Sequence, residues 1–151
     1  MSLSETSQAE LAEASASVIT EVEEWAPHHW VVACEVHGEP STATHLALHI
    51  ASRSRRVVRA INEQPGSRLD VSQVHVDPAP IPQQTAEVVA ALQEARDEAL
   101  RFVAALDDSE IERLRAAEID GEPDALIATC GLIGHWTFHF PAIRQIRGVG
   151  A

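Results

Sequence analysis

Apolar positions recur along most of this chain at intervals of three and four residues, the period of helices with one buried face. Between Glu5 and Glu24, Leu11, Val18, Ile19 and Val22 stand among Ala, Ser and Glu, and Pro27 closes the run, which predicts a first helix. The following WVVACEV stretch reads as a strand or a buried loop, and a lone strand there would have nothing to pair with. Gly38 and Pro40 punctuate the chain, and Ser41 is placed to cap a second helix from Thr42 to Glu63, ended by Pro65-Gly66. Ser67 to Pro82 must be a loop, because Pro78, Pro80 and Pro82 have no backbone N–H to donate. A third helix is predicted from Gln83 to Leu106. Asp107-Asp108-Ser109 caps a short one, EIERLRAA. After a turn at Gly121 to Asp124 a last helix runs to Arg147 and stops at Gly148. Four long helices and one short one predict an all-α fold, a four-helix bundle with a short extra helix. The 151 residues form a single domain, 1–151, large enough to fold without a disulfide.

Charge narrows the function. Acidic residues number 23 against 11 basic ones, for a net charge of −12, and every basic residue is an arginine. Such a surface repels phosphates, so no nucleic-acid partner is expected, the RSRRVVR run at 53–59 being the only basic cluster. The N-terminal stretch lacks the basic start and apolar run of a signal peptide, and no segment approaches the ~20 apolar residues of a membrane span. No membrane partner is expected, and the expected location is the cytoplasm. Cys34 and Cys130 form no C-x-x-C pair and read as small apolar fillers.

The chemistry lies in the histidines. GHWTFHF at 134–140 carries His135 and His139 four apart in an otherwise apolar stretch, so on a helix both rings share one face. On a helical wheel Ala128, Leu132, His135, His139, Ile143 and Ile146 fall together, while Leu126, Ile133, Thr137 and Phe140 cover the other side. A helix apolar nearly all round is central, so the imidazoles point inward, where they need hydrogen-bond partners or a metal. The second helix has Leu46, Ile50, Val57 and Ile61 as its inner stripe, with His49 at its margin and His45 one turn before. Three imidazoles from two helices, His49, His135 and His139, would form a facial set with open coordination positions, the arrangement of a catalytic site. Arg53, four after His49, is either paired with a carboxylate or placed for a ligand. Trp136 is core packing or the wall of a pocket. His28, His29 and His37 read as surface residues of the loop before the second helix, with one of them able to reach the mouth of the site. Pro141 removes a backbone hydrogen bond to Thr137 and should kink the last helix, tilting His139 away.

HLALHIASRSRRV and the final GHWTFHFPAIRQIR resemble the second and last helices of the DinB/YfiT-like superfamily of four-helix bundles, and the acidic DSEIERL between them suits the same family. The resemblance spans most of the chain. It implies metal ligation by His49, His135 and His139, with His45 as a further candidate ligand. His49 is preferred because IASRSR after it resembles the family's continuation. It places Arg53 and Trp136 near substrate. The implied cofactors are a divalent transition metal, zinc or nickel, and a low-molecular-weight thiol, and the implied function is a thiol-dependent S-transferase or isomerase acting on an electrophile. The competing class is a non-enzymatic, stress-associated binding or interaction bundle with a degenerate metal site. A homodimer is expected from the apolarity of the last helix.

Overall fold

In the computed structural model, which describes residues 1–149, the chain is mostly helical, with two small sheets that the all-α expectation lacked. Helix α1 spans Leu3–Glu23, α2 Ala43–Glu63, α3 Thr85–Ala104, α4 Asp108–Ala116 and α5 Gly134–Val149. Their starts are fixed by side chains that accept the orphan N–H groups of a first turn. Ser2 and Glu5 form a capping box on α1, and Asp107 and Glu110 form one on α4. On α2 the cap is Thr42, one residue beyond the expected Ser41, its hydroxyl taking the N–H of His45.

Both α1 and α2 pack chiefly against α3 and α5. The faces between them carry the aliphatic residues of the period: Leu11 and Val18 of α1, Leu46, Ile50 and Val57 of α2, Leu92 and Val103 of α3, and Ile143 of α5 are fully buried. Trp136 is buried with them. Among the described residues, no helix is long and apolar enough to cross a membrane.

The chain between α1 and α2 corrects the sequence reading. A 3₁₀ turn at Pro27–Val31 is followed by strand β1 (Ala33–Val36), which does find a partner: β2 (Glu39–Thr42) pairs with it antiparallel, Val36 opposite Glu39. The two residues between them, His37 and Gly38, have φ of +51° and +79°. Positive φ at both central residues is the signature of the two-residue hairpin turn whose twist matches the strands. Beyond α2 lie β3 (Arg68–Leu69) and a 3₁₀ turn at Val71–Gln73. Pro78 to Pro82 are in irregular loop, as expected. Strand β3 runs parallel to β4 (Glu118–Ile119), which turns at Asp120-Gly121 into β5 (Glu122–Pro123).

The last helix begins ten residues after the turn at Asp124. Residues 125–133 form successive tight turns, so Leu126, Ala128 and Leu132 do not share a helix with His135. Two glycines explain the difference. A Cβ on Gly131 would lie 2.5 Å from the Ala125 carbonyl oxygen, and one on Gly134 would lie 2.0 Å from that of Ala128. Backbone passes against backbone there, a packing open only to glycine. Asp124, at φ +65°, seeds the turns by accepting the N–H groups of Leu126 and Ile127.

Candidate metal centre

Helix α5 brings His135 and His139 one turn apart on a buried face, 3% and 5% exposed. The helix continues through Pro141 to Val149, and the expected displacement of His139 is absent: its Nε2 lies 3.0 Å from Nε2 of His135. Helix α2, packed against α5, supplies His49, half-buried, with Nε2 3.1 Å from Nε2 of His135. A fourth imidazole comes from the β1–β2 turn. Nε2 of His37 lies 2.9 Å from Nε2 of His49, and its ring stands edge-on to those of His49 and His139. All four nitrogens lie within 4.8 Å of one another.

Hydrogen bonds alone serve this arrangement poorly. In a neutral imidazole each ring nitrogen carries either one hydrogen or one lone pair. Nε2 of His49 faces two other Nε2 atoms, and so does Nε2 of His135. Whatever tautomers are chosen, three contacts cannot all be well-formed single bonds. A cation at the common centre would use all four lone pairs at once. For metal–nitrogen bonds of ~2.1 Å, neighbouring ligands are separated by roughly 3.0 Å at right angles and about 3.4 Å at tetrahedral angles. The three closest contacts, 2.9 to 3.1 Å, have that spacing, while the set as a whole spreads to 4.8 Å, so holding all four at once needs a ring to move inward.

The electrostatics agree. Burial, followed by repulsion from His139 and His37, pushes the His49 imidazolium down to about 4. His139 falls to about 4 through burial and then His37, and His135 to about 2 through burial and then His139 and His49. A group so depressed is neutral at ordinary pH, with its lone pair free. One feature falls short of a fully supported site. Nδ1 of His135 is buried with no hydrogen-bond partner, whereas ligating histidines usually donate that N–H to a carbonyl or carboxylate.

The remaining candidates fall elsewhere. His45, one turn before His49, is exposed and outside the cluster. Arg53 is already engaged: Nη2 meets Asp120 Oδ2 at 2.6 Å, and Nε and Nη2 both donate to the Cys130 carbonyl. It fastens α2 to the turns that precede α5. Trp136 is fully buried in the core rather than at a pocket wall. Contrary to the surface reading, His29 is buried, its Nδ1 accepting the Ala26 N–H. Cys130 stays outside the cluster, its thiol pushed up to about 11 by burial and the neighbouring Glu122.

Among the cavities that indent the surface are three of about 470 to 590 Å³, and one of these touches the cluster. It measures about 470 Å³, lies between α2, α3 and the proline loop, and includes His49, Ser52, Arg55 and Arg56 in its wall. The other two, about 570 and 590 Å³, lie beside Phe138 and Phe140 and beside Arg53 and Asp120. No family model, curated protein or solved structure matches the chain.

Proposed function

We propose that this chain is a divalent-metal protein of the DinB/YfiT-like bundle type, in which His49, His135 and His139 hold a zinc or nickel ion for a thiol-dependent S-transferase or isomerase reaction. The observation that carries the metal reading is the convergence of imidazole Nε2 atoms from separate elements at 2.9 to 3.1 Å with no complementary partner but one another. An ion bound there would act as a Lewis acid that keeps a thiol as its thiolate near neutral pH.

The chain's own part is geometric and electrostatic. Helices α2 and α5 fix two buried rings and one half-buried ring, so little ordering remains to be done when a ligand arrives. Neutral imidazoles present lone pairs without first shedding a proton. The cavity along α2 has the volume of a small-molecule site and gives a thiol or electrophile access to the cluster at His49. Arg53 acts as a positioning residue, through its hold on the segment leading into α5.

The test has two stages. The purified chain should carry roughly one transition-metal ion, and zinc or nickel added to stripped protein should raise its melting temperature. Metal content under half an equivalent with an unmoved melting temperature would contradict the proposal. The loaded protein should then conjugate a model electrophile with a low-molecular-weight thiol, and His139→Ala should abolish it. Conjugation that survives this substitution removes the cluster from the reaction. A second reading, a non-enzymatic binding bundle, is favoured by the unpartnered Nδ1 of His135 and expects metal uptake without conjugation. For the homodimer, the exposed Ile127 and Phe138 beside the α1–α5 cavity are where a second copy would pack, which sedimentation would detect.

A further inference from the structure

The four imidazoles are not held equally. His49, His135 and His139 project from long helices inside the packed body of the molecule. His37 is exposed, at the tip of a two-stranded hairpin and in a left-handed backbone conformation. Histidine tolerates that conformation better than most residues, yet two strands alone are a marginal structure. Among the described residues the His37 side chain has no hydrogen-bond partner except Nε2 of His49.

Four bound imidazoles would complete a tetrahedral shell, and a complete shell leaves an incoming molecule no position. We infer that His37 is a displaceable fourth ligand, one that closes the coordination shell of the resting protein and yields its place to a small anion. This rests on the metal-binding reading above, and deepens it by naming which ligand leaves and the charge of what replaces it.

The charge follows from the cavity at His49. Arg55 and Arg56 stand six and seven residues further along α2, about 10 Å at 1.5 Å per residue, and both line it. Neither has a carboxylate within ion-pair distance among the described residues, although the chain carries net charge −12. Asp77 and Glu94 also line the cavity, but neither pairs with these arginines, and Asp77 is turned to His75. Two uncommitted guanidiniums beside a cationic centre favour an anion over a neutral ligand of the same size.

Cobalt makes this measurable, since a four-coordinate cobalt(II) centre absorbs visible light more strongly than a five- or six-coordinate one. The full chain, loaded with one equivalent of cobalt, is titrated with sodium azide. His37→Asn keeps a residue that accepts the left-handed turn, and His37→Gly serves should that variant fold poorly. Either should retain cobalt with affinity lowered by no more than about tenfold and show an altered visible band, because water takes the place of an imidazole, that free imidazole restores. Azide should bind the variant about tenfold tighter than wild type, because the position no longer has to be vacated. Arg55→Gln with Arg56→Gln should weaken azide binding severalfold and leave cobalt affinity unchanged. An unaltered band in the His37 variants would show that His37 is no ligand. Loss of cobalt as complete as in His135→Ala would show that it is fixed rather than displaceable. Azide affinity indifferent to both arginines overturns the anion assignment, whereas failure of the wild type to take up cobalt overturns the metal reading itself.

Discussion

Two hairpins in this molecule turn in the same way and do different work. His37-Gly38 and Asp120-Gly121 each join two short strands, with φ of +51° and +79° in one and +47° and +84° in the other. Both place a polar side chain at a non-glycine, left-handed position, where its direction is set by the backbone. The Asp120 carboxylate meets complementary partners, accepting the Val71 N–H at 2.9 Å and the Arg53 guanidinium at 2.6 Å. That turn is a brace, satisfied within the chain. His37 faces three rings of its own kind and meets no complementary carboxylate or carbonyl, only Nε2 of His49. Complementary partners mark a structural contact, and a convergence of identical donors marks a place for something that binds them all.

The contrast can be tested by breaking each part in turn. The largest effect should come from Gly134→Ala, which drives a methyl group against the carbonyl oxygens of Ile127 and Ala128 at the entry to α5. It should cost about 3 kcal/mol in urea unfolding and weaken metal binding, because His135 is the next residue. A silent substitution would mean that the turns before α5 do not fix the site.

Next is the brace. Asp120→Ala strands the half-buried Arg53 and the Val71 N–H, and should lower stability by about 2 kcal/mol while leaving zinc affinity within severalfold of wild type. Isothermal titration that showed a large loss of zinc binding would move Asp120 into the site.

Acidification perturbs the metal-free cluster gradually. His49, His135 and His139 are depressed in the fold, so above about 6.5 they are neutral folded or unfolded and the metal-free protein keeps its full stability. As pH falls from 6.5 towards 4 the unfolded chain takes up protons that the buried rings refuse, and stability declines. Thermal melts of stripped protein should show the decline across that window and a flattening below it for His49 and His139. His49→Gln with His135→Gln should reduce the slope. The smallest effect on stability, under about 0.5 kcal/mol, is expected from His37→Asn, since its side chain is exposed. A loss as large as that of Asp120→Ala would make the first hairpin a brace too.

Much of this was legible in the sequence, because helices announce themselves by period. The α1 to α4 spans follow from the apolar spacing and the caps, and the interval of four between His135 and His139 survives in the fold. The start of α5 was hidden, since Ala125 to Ile133 is apolar enough to extend the pattern backwards while Gly131 and Gly134 hold it in turns by close backbone approach. His37 was missed for a related reason. WVVACEV was read as a strand or a buried loop with nothing to pair with, Gly38 and Pro40 being read as punctuation only, yet in a two-stranded hairpin both strands are edges and proline is admissible. A two-residue His-Gly between the halves was the available signal, weaker than Asp-Gly but of the same kind. The preference for His49 over His45 rested on the IASRSR that follows it, and the packing of α2 on α5 brings His49 into the cluster and leaves His45 exposed.

The central claim is that these imidazoles share one cation, and X-ray absorption at the zinc edge of the reconstituted chain tests it most directly. The account predicts one ion per chain with a first shell of nitrogen at ~2.0–2.1 Å and the outer-shell scattering of at least three imidazole rings. A shell of oxygen alone, or an absorption spectrum unchanged in His135→Ala, would contradict it.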